Sequence, residues 1–545
     1  MEPDGSMLEA SWEPLAVAIV NAPTVDAAVE LLTALARRCE VPLVPPHGTP
    51  FSATVVIGRD TRPSSPPLAA ALADAIAAVG GAVVDLGTAT TPAVHYVVRR
   101  RHRAAAGRGP PPAATPAAEL AAYGTHFADA YSALLETAGD GAIAAAAAAG
   151  PLVVDCACGV GSTVMAVRGS SIAVALGPRL RVINGLGGEG RLNDRCGAEY
   201  VHKTGQLPVV YPTDADALAG DGAPPPPVLG GWQGPPRGGD ADDSAAGDGD
   251  PLLVASLDGD ADRLVFHHPA VGVLDGDRFT VLTAAFVAEM AAAAGIEDVA
   301  IGVAHTAYSN GAAAEALRAT PGVVVLPALT GVKYQEAVVR APGLDVGIYW
   351  EPNGHGTVLF TDTFLDRLRE IAGGEGNENQ NGNGDGDGDG DGDGDGDGDG
   401  VASAGGGRCR AAALLLSMAD LANQAVGDGI ANLLLADALL AIRGWNPVAW
   451  ADGTYTPRAA VNVSVRVADK SVVTTADFDR LVTAPAALAV AVEDAVGSVR
   501  GGRSFVRPSG TEDIVRVYAE ADEPADAARL AETVVAAVKR TCVGV

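Results

Sequence analysis

The chain has 545 residues, which is enough for roughly three or four domains with hydrophobic cores. Its formal net charge is −30, and half of that excess comes from five Asp in 240–250 and from eight Asp and two Glu in 375–400. This acidic balance argues against nucleic acid or an anionic membrane as a partner. A phosphorylated small molecule needs only a local basic pocket, so the charge does not exclude a phosphorylated substrate.

No basic N-terminus followed by an apolar stretch is present, so a signal peptide is not predicted. The longest alanine-rich run, 141–154, is too short to span a bilayer. Six cysteines are scattered without the paired spacing of a zinc site, which is typical of reduced thiols. The sequence therefore predicts a soluble cytoplasmic protein with no membrane partner.

Strands and helices are predicted to alternate along most of the chain. In chain order they are a strand at Thr54–Ile57, a helix at 66–79, strands at 82–86, Leu152–Asp155, 180–183 and 252–257, an alanine-rich helix after 276, strands at 298–303 and 345–350, helices near 408–443, strands near 460–467 and 513–521, and a helix at 524–539. This alternation favours an α/β fold with parallel sheets in the first three of four globular stretches.

The predicted domain boundaries follow breaks in composition. The four domains are 1–150, 151–275, 276–407 and 408–545. Segments rich in Pro, Gly, Ala or Asp interrupt the first three domains at 103–119, 213–250 and 373–407. The last of these contains an Asp-Gly repeat without strand-forming residues, which predicts a disordered surface insertion rather than a calcium site.

An acidic loop with Asp258, Asp260 and Asp262 directly follows the predicted strand at 252–257. The residues between the carboxylates are small, so the loop can curl until all three face one point. Hard cations such as Mg²⁺ prefer such oxygen ligands and often keep a position for a substrate phosphate. An EF-hand is excluded because Arg263 and Pro269 occupy its Gly and Glu positions. A solvated acidic turn remains the alternative.

A second loop, between 330 and 357, has the chemistry of sugar recognition. Glu351 and Asn353 flank Pro352 on a glycine-rich turn after an apolar strand, and they can bind adjacent sugar hydroxyls. His355 could contact phosphate or move a proton, because its unperturbed pKa lies near neutrality. A structural role for this histidine stays open. Lys333, in a nearby glycine-containing loop, could also face the substrate.

A third loop near the C-terminus has the composition of a phosphate site. Its residues are Arg507, Pro508, Ser509, Gly510 and Thr511, followed by Arg516 on the next strand. Arginine can bind two phosphate oxygens at once, and the hydroxyls can donate further hydrogen bonds. A plain turn between two strands is the alternative, but a turn alone does not require arginine on both sides.

One motif points to a different class of protein. Residues 185–190 satisfy the G-x-G-x-x-G pattern of dinucleotide-binding folds, and a strand is predicted at 180–183. That fingerprint requires a helix that begins at the glycines. Another turn is predicted at 191–197, so a nicotinamide-dependent oxidoreductase is a remote alternative.

Together, these loops and the strings GRDTRPSS, TTPAVHY and LNDRCGAEYV resemble the phosphoacetylglucosamine mutase family of the α-D-phosphohexomutase superfamily. The motifs occur in the family's order between about residues 7 and 540. The resemblance implies four domains around a deep cleft, three similar α/β domains and a C-terminal α+β domain that binds phosphate. It also implies the interconversion of N-acetylglucosamine 6-phosphate and 1-phosphate, which is a step toward the synthesis of UDP-N-acetylglucosamine.

The resemblance assigns roles to the three loops. Asp258, Asp260 and Asp262 would hold Mg²⁺. The loop at 351–353 would bind the sugar of a hexosamine phosphate, and Lys333 and His355 could assist. The residues that would hold the phosphate that does not react are Arg507, Pro508, Ser509, Gly510, Thr511 and Arg516.

The family's nucleophile is a phosphorylated serine in a Thr-Ala-Ser-His-Asn-Pro loop, and this string does not occur in the chain. Residues 7–13 resemble the segment that follows that loop, so we expect a first domain that is truncated at its N-terminus. Two hypotheses follow. One is a mutase whose serine loop lies outside this sequence, so that this chain itself would be inactive. The other is a catalytically inactive sugar-phosphate-binding homologue.

Overall fold

A computed structural model of the protein describes residues 53–78, 80–166, 170–187, 190–211, 253–374, 399–509 and 513–542. The predicted insertion at 213–250 and most of the Asp-Gly tract therefore lie outside the described residues. None of the helices in these ranges is long and apolar enough to cross a membrane.

Sixteen strands and sixteen α-helices cover the described residues. The strands are β1 Thr54–Arg59, β2 Ala82–Thr88, β3 Leu152–Asp155, β4 Leu180–Ile183, β5 Leu253–Leu257, β6 Leu264–His268, β7 Gly272–Leu274, β8 Ile301–His305, β9 Val323–Pro327, β10 Val346–Trp350, β11 Gly356–Phe360, β12 Ala459–Arg466, β13 Thr474–Ala476, β14 Leu481–Ala484, β15 Arg503–Pro508 and β16 Ile514–Ala521. The helices are α1 Ser65–Ala78, α2 Thr91–Ala105, α3 Pro116–Ala138, α4 Asp140–Ala148, α5 Ser162–Met165, α6 Ser171–Leu176, α7 Gly197–Thr204, α8 Gly276–Ala293, α9 Gly311–Ala319, α10 Val332–Val339, α11 Asp362–Ala372, α12 Asp399–Leu421, α13 Gly429–Arg443, α14 Pro447–Thr454, α15 Ala486–Gly497 and α16 Pro524–Cys542.

The chain divides into two compact units. The smaller unit comprises Met1–Ile57 and Pro63–Asp85, and its described residues include α1 and most of β1 and β2. Ile57, Ala69 and Ile76 form its small buried core. All other described residues, 58–62 and 86 onward, belong to the larger unit.

The five-stranded sheet of the larger unit has the order β4-β3-β5-β6-β7. β3 pairs in parallel with β4 and β5, whereas β5–β6 and β6–β7 are antiparallel. β3 is buried along its whole length, as its Leu-Val-Val sequence predicts for a central strand. The expected purely parallel sheet is thus wrong for this part of the chain, because the short acidic loop after β5 folds the next strand back beside it.

The four-stranded sheet, with order β11-β10-β8-β9, repeats this pattern. β8 pairs in parallel with β9 and β10, and β10 turns back to β11 in an antiparallel pair. The loop after β10 is the predicted sugar-binding loop. Both mixed sheets therefore place a short polar loop at the carboxyl end of a central strand, beside the place where the strand direction reverses.

Helices extend into two of the segments that were predicted as insertions. The predicted insertion at 103–119 overlaps the end of α2 and the start of α3. Thr115 caps α3, since its side chain accepts a hydrogen bond from the Ala118 amide. The predicted insertion at 373–407 overlaps α12, which begins at Asp399. In 103–119 the alanine-rich parts form helix, which is consistent with the high helix propensity of alanine.

The two largest buried apolar clusters among the described residues lie in the larger unit. The larger cluster runs from Ala93 to Ala451 and includes α3, α8, α12 and α13. The second joins the sheet β12-β16-β15 to α15 and α16. The helices near 408–443 therefore pack with the mixed sheets rather than with the C-terminal sheet, whereas the domain boundary at 408 remains a prediction.

Candidate functional site

The acidic loop is a tight turn between two paired strands. Leu257 and Leu264 are cross-strand neighbours, so the six residues between them must reverse the chain direction. Ala261 adopts a φ of 61°, and its amide donates a hydrogen bond of 3.1 Å to the Asp258 carbonyl. Val160 donates its amide to the Gly259 carbonyl at 3.0 Å. The turn is therefore fixed by its own backbone and by the loop after β3.

This turn brings the three predicted metal ligands together. One carboxylate oxygen from each of Asp258, Asp260 and Asp262 lies within 4.8 Å of the others. Mg²⁺ binds oxygen at roughly 2.0–2.1 Å, so one ion can contact three such atoms after small side-chain shifts. The Asp262 Oδ1 atom is buried without a hydrogen-bond partner among the described residues. Arg263 Nε forms an ion pair with this oxygen at 3.7 Å, beyond hydrogen-bond distance. The donor chemistry and an oxygen without a hydrogen bond both fit a hard cation.

Each of the three carboxylates is held by a different neighbour. Asp258 Oδ1 accepts hydrogen bonds from the amides of Asp262 and Arg263, at 3.0 and 3.2 Å. Asp260 Oδ2 accepts one from the hydroxyl of Thr91 at 2.6 Å. Asp262 Oδ2 lies 3.1 Å from Nδ1 of His355, which donates to it. The cluster is thus orientated before any ion binds.

The electrostatics of the metal-free cluster differ from one carboxylate to the next. Burial, together with the negative charges of Asp262 and Asp260, raises the pKa of Asp258 well above its ordinary value. Burial also acts on Asp262, but the hydrogen bond from His355 and the charge of Arg263 outweigh it and lower the pKa of that carboxyl. A cation at this point would relieve the repulsion that Asp258 experiences.

The predicted sugar loop is also held in one conformation. Glu351 Oε1 accepts hydrogen bonds from the Gly331 amide at 2.9 Å and from Nε2 of Gln335 at 3.1 Å. Glu351 Oε2 accepts one from Nδ2 of Asn353 at 3.1 Å, and Asn353 Oδ1 accepts the amide of His355. The two side chains predicted to bind the sugar are therefore neighbours that orientate each other.

The metal loop and the sugar loop form one structure. His355 belongs to the sugar loop, yet its ring donates to Asp262. Arg263 and His355 also form an isolated backbone bridge, and the Leu264 amide donates to the Gly354 carbonyl at 3.2 Å. Sequence reasoning proposed phosphate contact or proton transfer for His355. The structure adds a contact that a lone histidine in a glycine-rich turn did not indicate.

The start of α13 contacts both loops. The Gly429 amide donates to the Ala261 carbonyl at 2.9 Å, and Nδ2 of Asn432 donates to the Gly356 carbonyl at 2.8 Å. Asp428 caps the helix by accepting from the amides of Ile430 and Ala431. None of these residues was predicted as part of the site. The Asp-Gly dipeptide before an apolar run indicates a helix start, but not which loops the helix contacts.

At the C-terminal loop the structure describes Arg507, Pro508, Ser509 and Arg516, while Gly510 and Thr511 lie outside the described residues. Arg507 and Arg516 are directly opposite each other on β15 and β16. Asp479 forms an ion pair with Arg507 at 3.0 Å. Like charges in opposite cross-strand positions are unfavourable, so a local anion is expected to stabilise this hairpin.

Lys333 lies in the first turn of α10, and its ammonium is 4.6 Å from the centre of the Tyr334 ring.

β4 ends at Ile183, shortly before the G-x-G-x-x-G segment, and α7 begins only at Gly197. A dinucleotide site would need a helix that begins at the glycines, and no helix begins there in the described part of 184–196.

Family models match three parts of the chain. Residues 275–383 match phosphoacetylglucosamine mutase AMG1, domain III; residues 42–107 match phosphoglucomutase/phosphomannomutase, alpha/beta/alpha domain I; and residues 463–537 match the C-terminal domain of the same group. The phosphoacetylglucosamine mutase of Sus scrofa is 32% identical, with 100% of this chain and 85% of that protein aligned. The Saccharomyces cerevisiae enzyme of the same name is 31% identical, with 99% and 86% aligned.

Solved structures agree with these matches. The N-acetylphosphoglucosamine mutase of Aspergillus fumigatus, in complex with GlcNAc-6P and magnesium, has a TM-score of 0.71 and 30% identity over 98% of this chain and 84% of that one. An N-acetylglucosamine-phosphate mutase in its substrate complex, a member of the α-D-phosphohexomutase superfamily, has a TM-score of 0.72 and 26% identity over 99% and 86%. The fold is therefore that of an α-D-phosphohexomutase, as the sequence predicted.

The sequence relatives define the branch of that superfamily. Identity of 32% over the whole of this chain is more specific evidence for a family than a shared fold is. The chain belongs to the phosphoacetylglucosamine mutase family, whose members are isomerases.

Proposed function

We propose that this chain binds Mg²⁺ and a hexosamine phosphate, in a site built to interconvert N-acetylglucosamine 6-phosphate and 1-phosphate by phosphoserine-mediated transfer. The reaction would lie in the cytoplasm on the route to UDP-N-acetylglucosamine. The observation that carries the proposal is the convergence of Asp258, Asp260 and Asp262 to within 4.8 Å, joined through His355 to the sugar loop. The ligands of the Aspergillus fumigatus relative, GlcNAc-6P and magnesium, support it.

The three aspartates would hold the metal. When bound, Mg²⁺ would neutralise negative charge on the phosphoryl group that is transferred. The protein's own part is to hold the carboxylates in place, and the Thr91 and His355 contacts to Asp260 and Asp262 support that role. Among the assisting residues, His355 would act through Asp262, because its Nδ1 contacts that carboxylate while its Nε2 is buried against Gly427.

The sugar would bind at Glu351 and Asn353, with the backbone of Pro352 between them. The hydrogen bonds from Gly331 and Gln335 hold the Glu351 carboxylate in one orientation, which reduces the entropy that substrate binding must remove. Lys333, on the helix that begins after Gly331, would add positive charge for a phosphate.

The phosphate that does not react would bind at the C-terminal hairpin. Arg507 and Arg516 project from opposite strand positions, so their guanidinium groups can share one dianion. Ser509 is buried at the end of β15, next to this pair. Pro508, Gly510 and Thr511 complete the proposed loop by resemblance to the family.

A second candidate is a sugar-phosphate-binding homologue without turnover. The observation that favours it is the absence of the Thr-Ala-Ser-His-Asn-Pro string from the 545 residues. Both candidates require the same metal and sugar sites and predict no turnover by this chain, so binding tests the part of the proposal that they share. The nucleotide sequence upstream of Met1 distinguishes them, because an in-frame Thr-Ala-Ser-His-Asn-Pro string there favours the mutase.

Metal binding is tested by titrating the full chain with Mn²⁺, a paramagnetic substitute for Mg²⁺, and measuring free Mn²⁺ by electron paramagnetic resonance. We expect one site, which is lost in Asp258→Asn. Asp298→Asn removes a surface carboxylate paired with Arg367 and should leave binding unchanged. If wild type and Asp258→Asn bind Mn²⁺ equally, the proposed metal site is wrong.

Turnover is tested with the same chain, N-acetylglucosamine 6-phosphate and a bisphosphate activator. We expect none, because no residue in this sequence matches the family's phosphoserine loop. The Sus scrofa relative serves as the positive control. Clear turnover by the 545-residue chain would show that another residue accepts the phosphoryl group.

A further inference from the structure

The TTPAVHY segment, which the proposed function leaves without a role, forms the start of α2. Thr90 is the N-cap, and its side chain accepts a hydrogen bond of 3.2 Å from the Ala93 amide. Thr90 is fully buried, and Pro92 follows Thr91 in the first turn. A proline at this point fixes φ without losing a helical hydrogen bond. The position of Thr91 is therefore tightly determined.

Thr91 makes two hydrogen bonds to Asp260. Its amide, which has no acceptor inside the helix, donates to the Asp260 carbonyl at 3.1 Å. Its hydroxyl donates to Asp260 Oδ2 at 2.6 Å. The first contact fixes the backbone of Asp260 and the second fixes its side-chain rotamer, although 169 positions separate the two residues in sequence.

Within the described residues, the hydroxyl contact affects the one carboxylate of the three whose side-chain hydrogen bond comes from outside the metal and sugar loops. Asp258 is held by amides of the acidic loop itself, and Asp262 is held by His355. Asp260 instead receives its side-chain hydrogen bond from Thr91, which lies in the first turn of α2. With Oδ2 engaged in this way, rotation of the carboxylate is restricted and Oδ1 has a defined direction.

We infer that Thr91 is a positioning residue for the metal site, which holds Asp260 in the orientation that binds a divalent cation. The inference rests on the proposed function, because it assigns Asp260 to the cation. It differs from an ordinary favourable contact between a carboxylate and a helix N-terminus. Such a contact would stabilise the fold without changing metal affinity, whereas groups that orientate metal ligands typically contribute 10–100-fold to affinity.

The test compares Mn²⁺ affinity of the full chain with that of Thr91→Val, which keeps the shape of threonine and removes the hydroxyl. We expect affinity to fall by about tenfold or more. Thr91→Ser, which restores a donor, should bind within a fewfold of wild type. Thr115→Val is the control for loss of a threonine hydroxyl at a helix start, since Thr115 caps α3 and has no hydrogen bond to the acidic loop in the part of the chain described.

A double-mutant comparison separates this effect from general destabilisation. In an Asp260→Ala background the remaining carboxylates bind Mn²⁺ more weakly, and Thr91→Val should then cause no further loss. An equal loss in both backgrounds would overturn the inference. If Thr91→Val does not fold, as judged by circular dichroism, the pair Thr91→Ser and Thr91→Ala replaces it, because these two differ only in the hydroxyl.

The outcomes distinguish this inference from the proposed function. If wild type fails to bind Mn²⁺, the proposed metal site is wrong and the inference falls with it. If wild type binds and Thr91→Val binds equally well, the site stands and the inference is wrong. Selective loss in Thr91→Val, with recovery in Thr91→Ser, supports both.

Discussion

At the scale of single residues, the neighbours of an aspartate decide the direction in which its pKa shifts. Asp258 and Asp262 lie four positions apart in one loop, yet the pKa of the first is raised and that of the second is lowered. Burial acts on both, and the hydrogen bond from His355 reverses the result for Asp262. Composition alone would have treated the two carboxylates as equivalent.

A buried histidine outside the site gives a prediction on pH. Burial, with the positive charges of Arg503 and Arg480, lowers the pKa of His305 to about 3. An unfolded histidine titrates near 6.5, so the unfolded state binds a proton between these values while the folded state does not. The free energy of unfolding therefore decreases as the pH falls below about 6.5, because the unfolded state gains a proton at His305 that the folded state does not bind.

We expect the free energy of unfolding of wild type to fall between pH 6 and pH 4.5 by up to about 1.4 kcal/mol per pH unit more than that of His305→Asn. Chemical denaturation at several pH values measures the difference. His102→Asn, at an exposed position, is the control for the loss of a histidine side chain as such. Parallel profiles for wild type and His305→Asn would contradict the prediction.

At the scale of elements, α13 organises the site although it carries none of the proposed ligands. Asp428 caps the helix, accepts hydrogen bonds from Tyr123 and Asn423, and is fully buried. The cap holds the first turn where Gly429 and Asn432 reach the metal loop and the sugar loop. The two loops thus depend on one helix start.

Gly429→Ala tests this dependence. A Cβ atom at this position would lie 2.6 Å from the Arg263 carbonyl oxygen and 2.7 Å from a methyl carbon of Leu257. We expect a loss of about 1–3 kcal/mol in the free energy of unfolding, from overpacking, together with weaker Mn²⁺ binding.

Gly124→Ala is the control, since a Cβ at that helical position of α3 meets no atom within 4 Å. It should stabilise the protein by roughly 0.5–1 kcal/mol. Unchanged stability and Mn²⁺ affinity in Gly429→Ala would show that the first turn of α13 can move without affecting the loops.

At the scale of the whole molecule, the two largest buried clusters of the larger unit carry different parts of the proposed site. The metal and sugar loops belong to the cluster that runs from Ala93 to Ala451, and the phosphate hairpin belongs to the C-terminal sheet. Ligands that stabilise one cluster should therefore be distinguishable from ligands that stabilise the other.

Hydrogen exchange followed by mass spectrometry tests this division. We expect Mn²⁺ to slow exchange mainly in peptides covering 253–264 and 351–360, and inorganic phosphate to slow it mainly in 503–509 and 514–521. The reason is that each ligand stabilises the loops it contacts. Identical protection patterns for the two ligands would contradict the assignment of separate metal and phosphate loops.

Much of the local structure could be predicted from sequence. β3 was predicted with its observed bounds, and the acidic loop was placed correctly at the end of β5. Uninterrupted apolar runs and glycine or aspartate breakers are local signals. The pairing of β5 with β6 was not predicted, because strand direction depends on where the next strand packs rather than on its own residues.

The sequence by itself determined the family, the positions of the three loops and the chemistry of their side chains. Only the tertiary structure decided which residues support them: Thr91 for Asp260, His355 for Asp262 and the α13 start for both loops. The side chains proposed to bind ligands lie in short stretches of sequence. Their support comes from contacts between segments as far apart as 169 positions, and no local pattern encodes such contacts.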